Sequence, residues 1–241
     1  MVGTSEGEAD FVGILEAVAL VKAVSADLEF PVFLNADHFK SFEKCKAAID
    51  AGYDSVIIDA SKLPNDQNMA LVKQVVEYTH SVNPNISVEG ELGYLKGSSE
   101  VQQKVEISSA DYSKPEEVAD FVAQTGVDRM AVVFGNIHGI VTEQEEKLDI
   151  EHFSKIVTAA PSPAYVLHGA SGLSDDDVRA AIQAGIANVH FNTELRVAYH
   201  DKLKEEMETM PNETTPYKYL GPAAEEVQKL VAAKTRVFMG K

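Results

Sequence analysis

The chain has 241 residues, of which 45% are hydrophobic and 24% are charged, which suits one domain with a substantial core. The formal net charge of −17 argues against nucleic acid or an anionic membrane as a partner. No apolar run approaches the roughly 18 residues of a membrane-spanning helix. The only cysteine, Cys45, excludes a disulfide framework and a site built from several thiolates. We expect a single domain over residues 1–241 in the reducing cytoplasm.

Short apolar runs rich in β-branched residues alternate with amphipathic runs along the whole chain. The predicted strands are residues 31–37, 55–59, 86–92, 129–134, 164–167 and 188–191. The predicted helices are residues 11–28, 42–51, 67–80, 115–124, 150–160, 175–184 and 194–208. The strands are apolar throughout, as strands buried on both faces must be. This alternation predicts a parallel α/β sheet, and residues 1–4 are too short to assign.

Two parallel architectures fit this order of elements, an open doubly wound sheet and a closed barrel. No Gly-x-Gly-x-x-Gly turn follows any strand, which weakens the dinucleotide-binding version of the open sheet. Residues 94–112 form the one long connection without clear periodicity, and they are rich in Ser, Gln and charge. A long loop at such a point in a compact domain is usually functional.

Polar residues collect at the C-terminal ends of all six predicted strands. They are Asp37 and His38, Asp59 and Ser61, Glu89 and Glu91, Asn136 and His138, His168, and His190 with Asn192. Ligands bind at that end of parallel sheets. An apolar strand that ends in an ionisable residue is costly unless the residue has a partner or a task. The pattern therefore indicates one functional rim.

The seven histidines fall into two groups. His80, His152 and His200 lie in helical stretches among polar residues, so we expect them at the surface. The other four, His38, His138, His168 and His190, lie at strand ends. One such histidine alone would most simply be structural. Several imidazoles that converge with carboxylates favour a transition metal, zinc first, with an open coordination position.

Two turns lead from a strand end into a helix. They read His-Gly-Ala-Ser-Gly (residues 168–172) and Asn-Thr-Glu (residues 192–194). Small residues let backbone N–H groups approach a ligand, and helix N-termini attract phosphate. Gly and Ser also make ordinary tight turns, so both readings stay open at this point.

Six short strings carry a resemblance to a known family. They are Asn-Ala-Asp-His (35–38), Ile-Asp-Ala-Ser (58–61), Val-Glu-Gly-Glu-Leu-Gly (88–93), Gly-Asn-Ile-His-Gly (135–139), Leu-His-Gly-Ala-Ser-Gly (167–172) and Asn-Thr-Glu-Leu (192–195). In this order the chain resembles the class II fructose-bisphosphate and tagatose-bisphosphate aldolases. The resemblance implies a (β/α)8 TIM-type barrel that lacks the first strand, the first helix and most of the second strand. Such a gap would leave strand edges unpaired.

The resemblance also implies metal-binding and catalytic roles. It assigns His38, His138 and His168 as ligands of one catalytic Zn²⁺, and Asp59 and Glu91 as carboxylates that support the metal or hold it in an alternative position. It allows a second divalent or monovalent cation. Asp37 matches the acid/base at the bond being cleaved, and Glu100, in the long connection, is the candidate for the loop carboxylate that transfers a second proton.

The implied substrate is a phosphorylated sugar, and the implied subunit assembly is a homodimer or homotetramer. The phosphate-binding positions are Gly139, Gly169, Ser171, Asn192 and Thr193, with Ser5 and His190 as further substrate contacts. The family usually has Asn where this chain has His190. The implied reaction is reversible cleavage of a ketose 1,6-bisphosphate, fructose 1,6-bisphosphate first, to dihydroxyacetone phosphate and glyceraldehyde 3-phosphate.

Three alternatives remain at this stage. A metal-dependent barrel hydrolase would share the histidines but gives no reason for the phosphate turns. A class I aldolase needs a Schiff-base lysine at a strand end, and the nearby Lys62 and Lys96 lie in predicted loops. A non-catalytic or fragmentary homologue would act as a binding protein.

Overall fold

A computed structural model describes residues 1–241 and contains nine β-strands and nine α-helices. The strands are β1 (Val2–Ser5), β2 (Leu34–Phe39), β3 (Ser55–Ile58), β4 (Ser87–Leu92), β5 (Gly97–Gln102), β6 (Arg129–Val132), β7 (His138–Val141), β8 (Ala164–Leu167) and β9 (Ile186–Val189). The helices are α1 (Glu6–Val12), α2 (Ile14–Asp27), α3 (Phe42–Ala51), α4 (Asn65–Val82), α5 (Pro115–Thr125), α6 (Ile150–Ala159), α7 (Asp175–Gln183), α8 (Thr193–Thr209) and α9 (Pro216–Phe238).

The chain divides into two compact units. The first unit comprises Met1–Tyr94, Asp111–Val133 and Lys155–Val166. The second unit comprises Leu95–Ala110, Phe134–Ser154 and Leu167–Lys241.

The first unit is built on parallel strands in the order β1-β2-β3-β4-β6-β8. Side chains of β3 and β6 are buried on both faces, including Val56, Ile57, Ile58 and Met130, each 0% exposed. Helices connect successive strands, as parallel pairing requires. The predicted parallel α/β class is therefore confirmed, and residues 2–5, too short to assign from sequence, form the edge strand β1.

Strand β2 contains an irregularity at the predicted site residues. Its register against β3 shifts between Ala36 and Phe39, and His38 has a positive φ of 52°. The sequence indicated a strand that stops at Asp37, but β2 continues to Phe39, which is 0% exposed and pairs with Ile58. A bulge of this kind re-aims side chains, so neighbouring Asp37 and His38 need not face opposite sides of the sheet.

A buried polar network fills the opposite, N-terminal part of the same strands. The Arg129 guanidinium donates to Asn35 Oδ1 and Ser55 Oγ, each at 2.9 Å. It also lies 3.3 Å from the Glu89 carboxylate, whose side chain is 0% exposed. Glu89, which the sequence placed among the strand-end polar residues, thus forms an ion pair with Arg129, a residue that sequence patterns did not single out. A buried charge needs such a partner.

One predicted helix is divided in two, and a serine before another helix has a role other than capping. The predicted helix over residues 11–28 is two helices, because Gly13 (φ 97°) separates α1 from α2. Ser113 does not cap α5, whose first flanking residue is Lys114. Instead the Ser113 hydroxyl donates to the Leu92 carbonyl and accepts from the Val133 amide. Ser174 caps α7, since its hydroxyl accepts from the Asp177 amide at 3.1 Å.

The second unit carries elements that the sequence did not predict. Strands β5 and β7 form a separate parallel pair, so the long connection over residues 94–112 is partly a strand. Directly after β9, the His190 amide donates to the Leu167 carbonyl at 2.8 Å. Helix α9, with 23 residues, packs against α8. Neither α9 nor any other helix has the length and apolarity needed to cross a membrane.

The buried ion pair generates the first prediction. Replacing Arg129 with Met should lower the free energy of unfolding by about 3–5 kcal/mol, because the buried Glu89 carboxyl would lose its guanidinium partner. Urea unfolding measures the change. Lys114→Ala, which removes an exposed pair with Glu117, is the control and should change stability by less than about 1 kcal/mol. Equal effects of the two substitutions would contradict the assignment.

Candidate functional site

In the first unit, three strands bring an imidazole and three carboxylates together at their C-terminal ends. His38 Nδ1 lies 3.2 Å from Asp59 Oδ2 and 3.7 Å from Glu91 Oε2. Asp37 offers a carboxylate oxygen within 4.8 Å of a His38 ring nitrogen. The prediction that the strand ends β2, β3 and β4 converge is thus met for these residues, and the bulge in β2 is what makes Asp37 and His38 neighbours of one cluster.

The cluster has strongly perturbed protonation. Burial alone would lower the pKa of His38, but the hydrogen bond to Asp59 and the charges of Asp37 and Glu91 raise it to about 10. Burial raises the pKa of Glu91 to about 7, against the opposing charge of His38. Burial would also raise the pKa of Asp59, yet the hydrogen bonds with His38 and Ser61 hold it below its usual range. Without a metal, a proton on His38 supplies the positive charge that the carboxylates demand.

The donor atoms of this cluster suit a bound cation. His38, Asp59 and Glu91 each offer one ligand atom, and these atoms lie within 4.8 Å of one another. Glu91 Oε2 is buried and has no hydrogen-bond partner, so an oxygen ligand is available. Imidazole with carboxylate oxygens is a ligand set that Zn²⁺ accepts. Because a ligating imidazole must be neutral, metal binding here would displace the His38 proton.

Ser5, predicted as a substrate contact, lies beside this cluster in the strand register. Ser5 pairs with Asp37 across β1 and β2. Its hydroxyl donates to the Glu8 carboxylate at 2.9 Å and accepts from the Glu8 amide at 3.4 Å, which makes a capping box for α1. The structure therefore gives Ser5 a helix-capping role, and its contact with substrate stays a prediction.

In the second unit, the three remaining strand-end histidines lie together. The ring centroids of His138 and His168 are 6.4 Å apart, and those of His168 and His190 are 4.2 Å apart. His190 Nε2 lies 3.2 Å from the Asn188 amide nitrogen. Asn136 supports this group, because its side-chain amide donates to the His168 carbonyl at 3.1 Å. The unit thus clusters the two other predicted zinc ligands.

The two predicted phosphate turns are adjacent in the second unit. Asn192 precedes the first residue of α8, Thr193, which is 4% exposed. The Glu194 amide donates to Ser171 Oγ at 3.4 Å, and the Gly172 amide donates to the Glu194 carboxylate at 2.8 Å. Helix α8 therefore begins directly against the loop that follows β8. Gly169 opens that loop immediately after His168.

The predicted loop carboxylate, Glu100, lies on β5 and is exposed. Strand β5 pairs with β7, which begins at His138. Gly139, predicted at a phosphate, has its α-carbon against the carbonyls of Ser98 and Glu100. The structure therefore joins the Glu100 loop to the segment of a predicted zinc ligand, and the phosphate contact of Gly139 stays a prediction.

A buried carboxyl that sequence patterns did not single out lies under the same segment. Glu146 is 8% exposed, and its Oε1 accepts from the Ile137 amide at 3.0 Å. Its Oε2 is buried with no hydrogen-bond partner and lies close to Gly172. Burial raises the pKa of Glu146 to about 8. The three residues before Glu146 are acidic or polar, as in a solvated loop. The burial of Glu146 is therefore seen only in the structure.

These features define an α/β protein of the barrel type whose strand ends gather imidazoles and carboxylates. Its main sheet has seven strands, one fewer than a closed barrel of eight, so the fold is a partial (β/α) barrel. The family model described as "Fructose-bisphosphate aldolase class-II" matches residues 1–241. The chain belongs to the class II fructose-bisphosphate aldolase family, as its sequence motifs indicated.

Individual relatives agree with the family match. The fructose-bisphosphate aldolases of Staphylococcus epidermidis and Geobacillus stearothermophilus are 37% and 36% identical over 241 residues, which cover 99% of this chain and 82% of each relative. The predicted enzyme class, an aldolase and hence a carbon–carbon lyase, is confirmed.

Solved structures of aldolases share the fold. The YdjI aldolase of Escherichia coli K12 has a TM-score of 0.82 at 29% identity, over 98% of this chain and 80% of that chain. The fructose-bisphosphate aldolase (Fba) of Campylobacter jejuni has a TM-score of 0.76 over 98% and 81% of the two chains. At 18% identity the second likeness concerns the fold alone. The predicted fold class is confirmed.

Glu146 generates the second prediction. The pKa of Glu146 is about 8 in the folded protein, against about 4.3 for an unperturbed carboxyl. At pH values between these two, the carboxyl is ionised in the unfolded chain and takes up a proton on folding. The free energy of unfolding therefore falls as pH rises from about 4.5 to 8, because protonation of Glu146 is favoured only in the folded state. Glu146→Gln cannot ionise, so its stability relative to the parent should increase over that range by a few kcal/mol, roughly 1.4 per unit of pKa shift.

Urea unfolding at several pH values between 5 and 8, with chelator present, measures this difference. Glu145→Gln is the matched control, because Glu145 is exposed and adjacent. Parallel pH dependences of the Glu146→Gln variant and the parent protein would show that Glu146 is not the buried acid described here.

Proposed function

We propose that the chain is a metal-dependent aldolase that reversibly cleaves a ketose 1,6-bisphosphate to dihydroxyacetone phosphate and glyceraldehyde 3-phosphate, with fructose 1,6-bisphosphate as first candidate. The observation that carries this proposal is the strand-end cluster of His38 with Asp59 and Glu91. These side chains can bind a cation, and they lie in the sequence motifs that the chain shares with the family. Relatives named fructose-bisphosphate aldolase support the choice of substrate.

We propose His38, His138 and His168 as the ligands of one catalytic zinc ion, with Asp59 and Glu91 supporting it or receiving a second cation. The bound metal would supply Lewis-acid stabilisation of the enediolate that cleavage leaves. The ring contact between His138 and His168, and the carboxylates around His38, support these assignments within each unit. The histidines are the neutral nitrogen donors that a catalytic zinc site uses.

Asp37 is proposed as the acid/base for the substrate hydroxyl. Its carboxylate would accept the hydroxyl proton as the carbon–carbon bond breaks and return it on condensation. The bulge in β2 supports this role, because it keeps Asp37 beside His38 although the two are sequence neighbours. Glu100 is proposed to transfer the second proton, at the enediolate carbon, from the exposed segment of β5.

The substrate phosphate is proposed to bind at the two turns of the second unit. Backbone N–H groups at the start of α8, with small residues in the facing loop, are suited to a phosphate. The proposed contacts are Gly139, Gly169, Ser171, Asn192 and Thr193, with Ser5 and His190 as further substrate contacts. His190, at the family's usual Asn position, packs on His168 and would alter the shape of this pocket.

We further propose that the enzyme works as a homodimer or homotetramer in the cytoplasm. The single cysteine, Cys45, is buried and needs no oxidising compartment. Light scattering coupled to size-exclusion chromatography measures the assembly. A strictly monomeric active enzyme would contradict this part.

The third prediction tests the reaction and its metal together. Cleavage assays on fructose and tagatose 1,6-bisphosphates should show activity that a chelator abolishes and added zinc restores. His38→Ala, His138→Ala and His168→Ala should each lose stoichiometric zinc, because a catalytic site with two remaining histidines binds the metal poorly. Elemental analysis of the purified proteins measures this.

The exposed His200 provides the control for zinc content. His200→Ala should keep the metal and the activity, since this exposed histidine forms an ion pair with Asp201. Full zinc retention in all three strand-end variants would contradict the ligand assignment, and chelator-resistant cleavage would contradict the metal-dependent mechanism.

The fourth prediction separates acid/base catalysis from metal binding. Asp37→Asn should keep zinc and ketose-phosphate binding, while kcat falls by about 10²–10⁴-fold, the usual contribution of a general acid/base. Steady-state kinetics and elemental analysis on the same preparation measure both quantities. Unchanged kcat rules out the role, and loss of zinc would indicate that Asp37 is a ligand.

A further inference from the structure

The segment that carries Glu100 is an irregular part of the β5–β7 pair. Gly97 pairs with His138, and Val101 and Gln102 pair with Ile140 and Val141, but the register shifts in between. Residues 98–100 therefore leave the regular ladder and form a bulge. Bulges re-aim side chains locally and are frequent next to active sites. The direction of the Glu100 side chain therefore depends on the backbone conformation of this bulge.

Two glycines let the bulge lie directly on the His138 backbone. Gly139 has φ 92°, and a β-carbon there would lie 2.2 Å from the Ser98 carbonyl and 2.4 Å from the Glu100 carbonyl. Gly97 has φ 94°, and its β-carbon would lie 2.5 Å from the His138 carbonyl. Any side chain at either position would separate the two segments. Close approach of these backbones is thus a requirement of the fold.

One side chain, that of Gln102, ties the bulge and His138 together. The side-chain oxygen Oε1 accepts from the Ser98 backbone amide at 3.2 Å, and the side-chain nitrogen Nε2 donates to the Ser98 carbonyl at 3.0 Å. The same nitrogen donates to the His138 carbonyl at 2.8 Å. The backbone of Gln102 is itself fixed, because its carbonyl accepts from the Thr142 amide at 3.0 Å. Gln102 therefore closes the bulge at one end and anchors it to His138.

A second anchor holds the middle of the bulge. Arg196, in the first turns of α8, donates to the Ser99 carbonyl at 3.0 Å. Ser98, Ser99 and Glu100 thus each have a carbonyl in contact with another segment of the second unit. The bulge is held through its backbone, which leaves the exposed Glu100 side chain available for chemistry.

We propose that Gln102 is a positioning residue for Glu100, which fixes the proton-transfer carboxylate relative to the backbone of His138. This inference rests on the proposed role of Glu100. A general acid must lie within hydrogen-bond reach of the atom it protonates, and a misplacement of about 1 Å can cost about 10²-fold in rate. A glutamine with one acceptor and two donors satisfies the three contacts at once.

The test measures proton transfer at carbon without carbon–carbon cleavage. The zinc-loaded enzyme is incubated with dihydroxyacetone phosphate in D₂O, and NMR follows the exchange of its carbon-bound hydrogen. The variants are Gln102→Ala and Gln102→Glu, where Glu fills the same volume but cannot donate to the two carbonyls. Gln103→Ala is the matched control, because the neighbouring Gln103 is exposed.

We expect both Gln102 variants to lower the exchange rate and kcat by about 10- to 100-fold, with zinc content and KM unchanged. Gln103→Ala should match the parent enzyme. If Gln102→Glu restores the rate lost in Gln102→Ala, the side chain only fills space and the proposal is overturned. Loss of zinc in parallel with rate would likewise overturn it.

The Glu100→Gln background separates this inference from the proposed function. Adding Gln102→Ala there should cause no further loss of exchange, because residues that act as one unit are not additive. A further loss as large as in the parent would overturn the positioning role. If Glu100→Gln alone leaves exchange unchanged, the proposed role of Glu100 fails and the positioning role falls with it. If only the Gln102 variants are silent, Glu100 keeps its role and Gln102 has none.

Discussion

The constraint on which the first unit depends is the placement of ionisable groups at the ends of buried parallel strands. Burial disfavours charge, yet Asp37, Asp59 and Glu91 surround a single imidazole, that of His38. Carboxylates that crowd in this way need a proton or a cation between them. The raised pKa values of His38 and Glu91 express that need without metal. A divalent ion would also meet that need, and it would leave the imidazole neutral and the oxygens ionised.

The sequence predicted this rim because strand identity and strand-end chemistry are local properties. A buried strand is an apolar run, and its polar terminus is legible from a few residues, as at Asp59 after β3. The bulge in β2 could not be predicted from the sequence, since it accompanies the burial of Phe39 against β3 and no turn residue marks it. Strand β5 escaped prediction for a related reason. Its residues are Gly, Ser, Glu, Val and Gln, and its strand conformation depends on pairing with β7, about 40 residues later.

The residues that sequence reasoning missed share a dependence on distant partners. The buried Arg129 donates hydrogen bonds to Asn35 and Ser55, which lie more than 70 residues earlier in the chain. Glu146 looks like part of a solvated acidic run until its contact with the Ile137 amide is known. Gln102 is one of two adjacent glutamines that nothing local distinguishes. Buried polar groups are satisfied by whatever the fold brings near, so their roles follow from topology more than from composition.

The net charge of −17 sets a further condition on how such a chain can hold a phosphorylated sugar. Exposed charges more than about 8 Å away are largely screened at physiological salt, so at the proposed phosphate turns the local groups would decide the interaction. Lys234, a cation next to these turns, is already engaged, since it lies 3.5 Å from Asp175 and 3.4 Å from Glu194. Backbone N–H groups are the donors that remain suited to an anion. The Gly172 amide already holds the Glu194 carboxylate at 2.8 Å, which shows that this loop accepts an anionic oxygen. Oriented peptide groups and small residues carry no formal charge, so the suitability of these turns for an anion cannot be read from the charge balance.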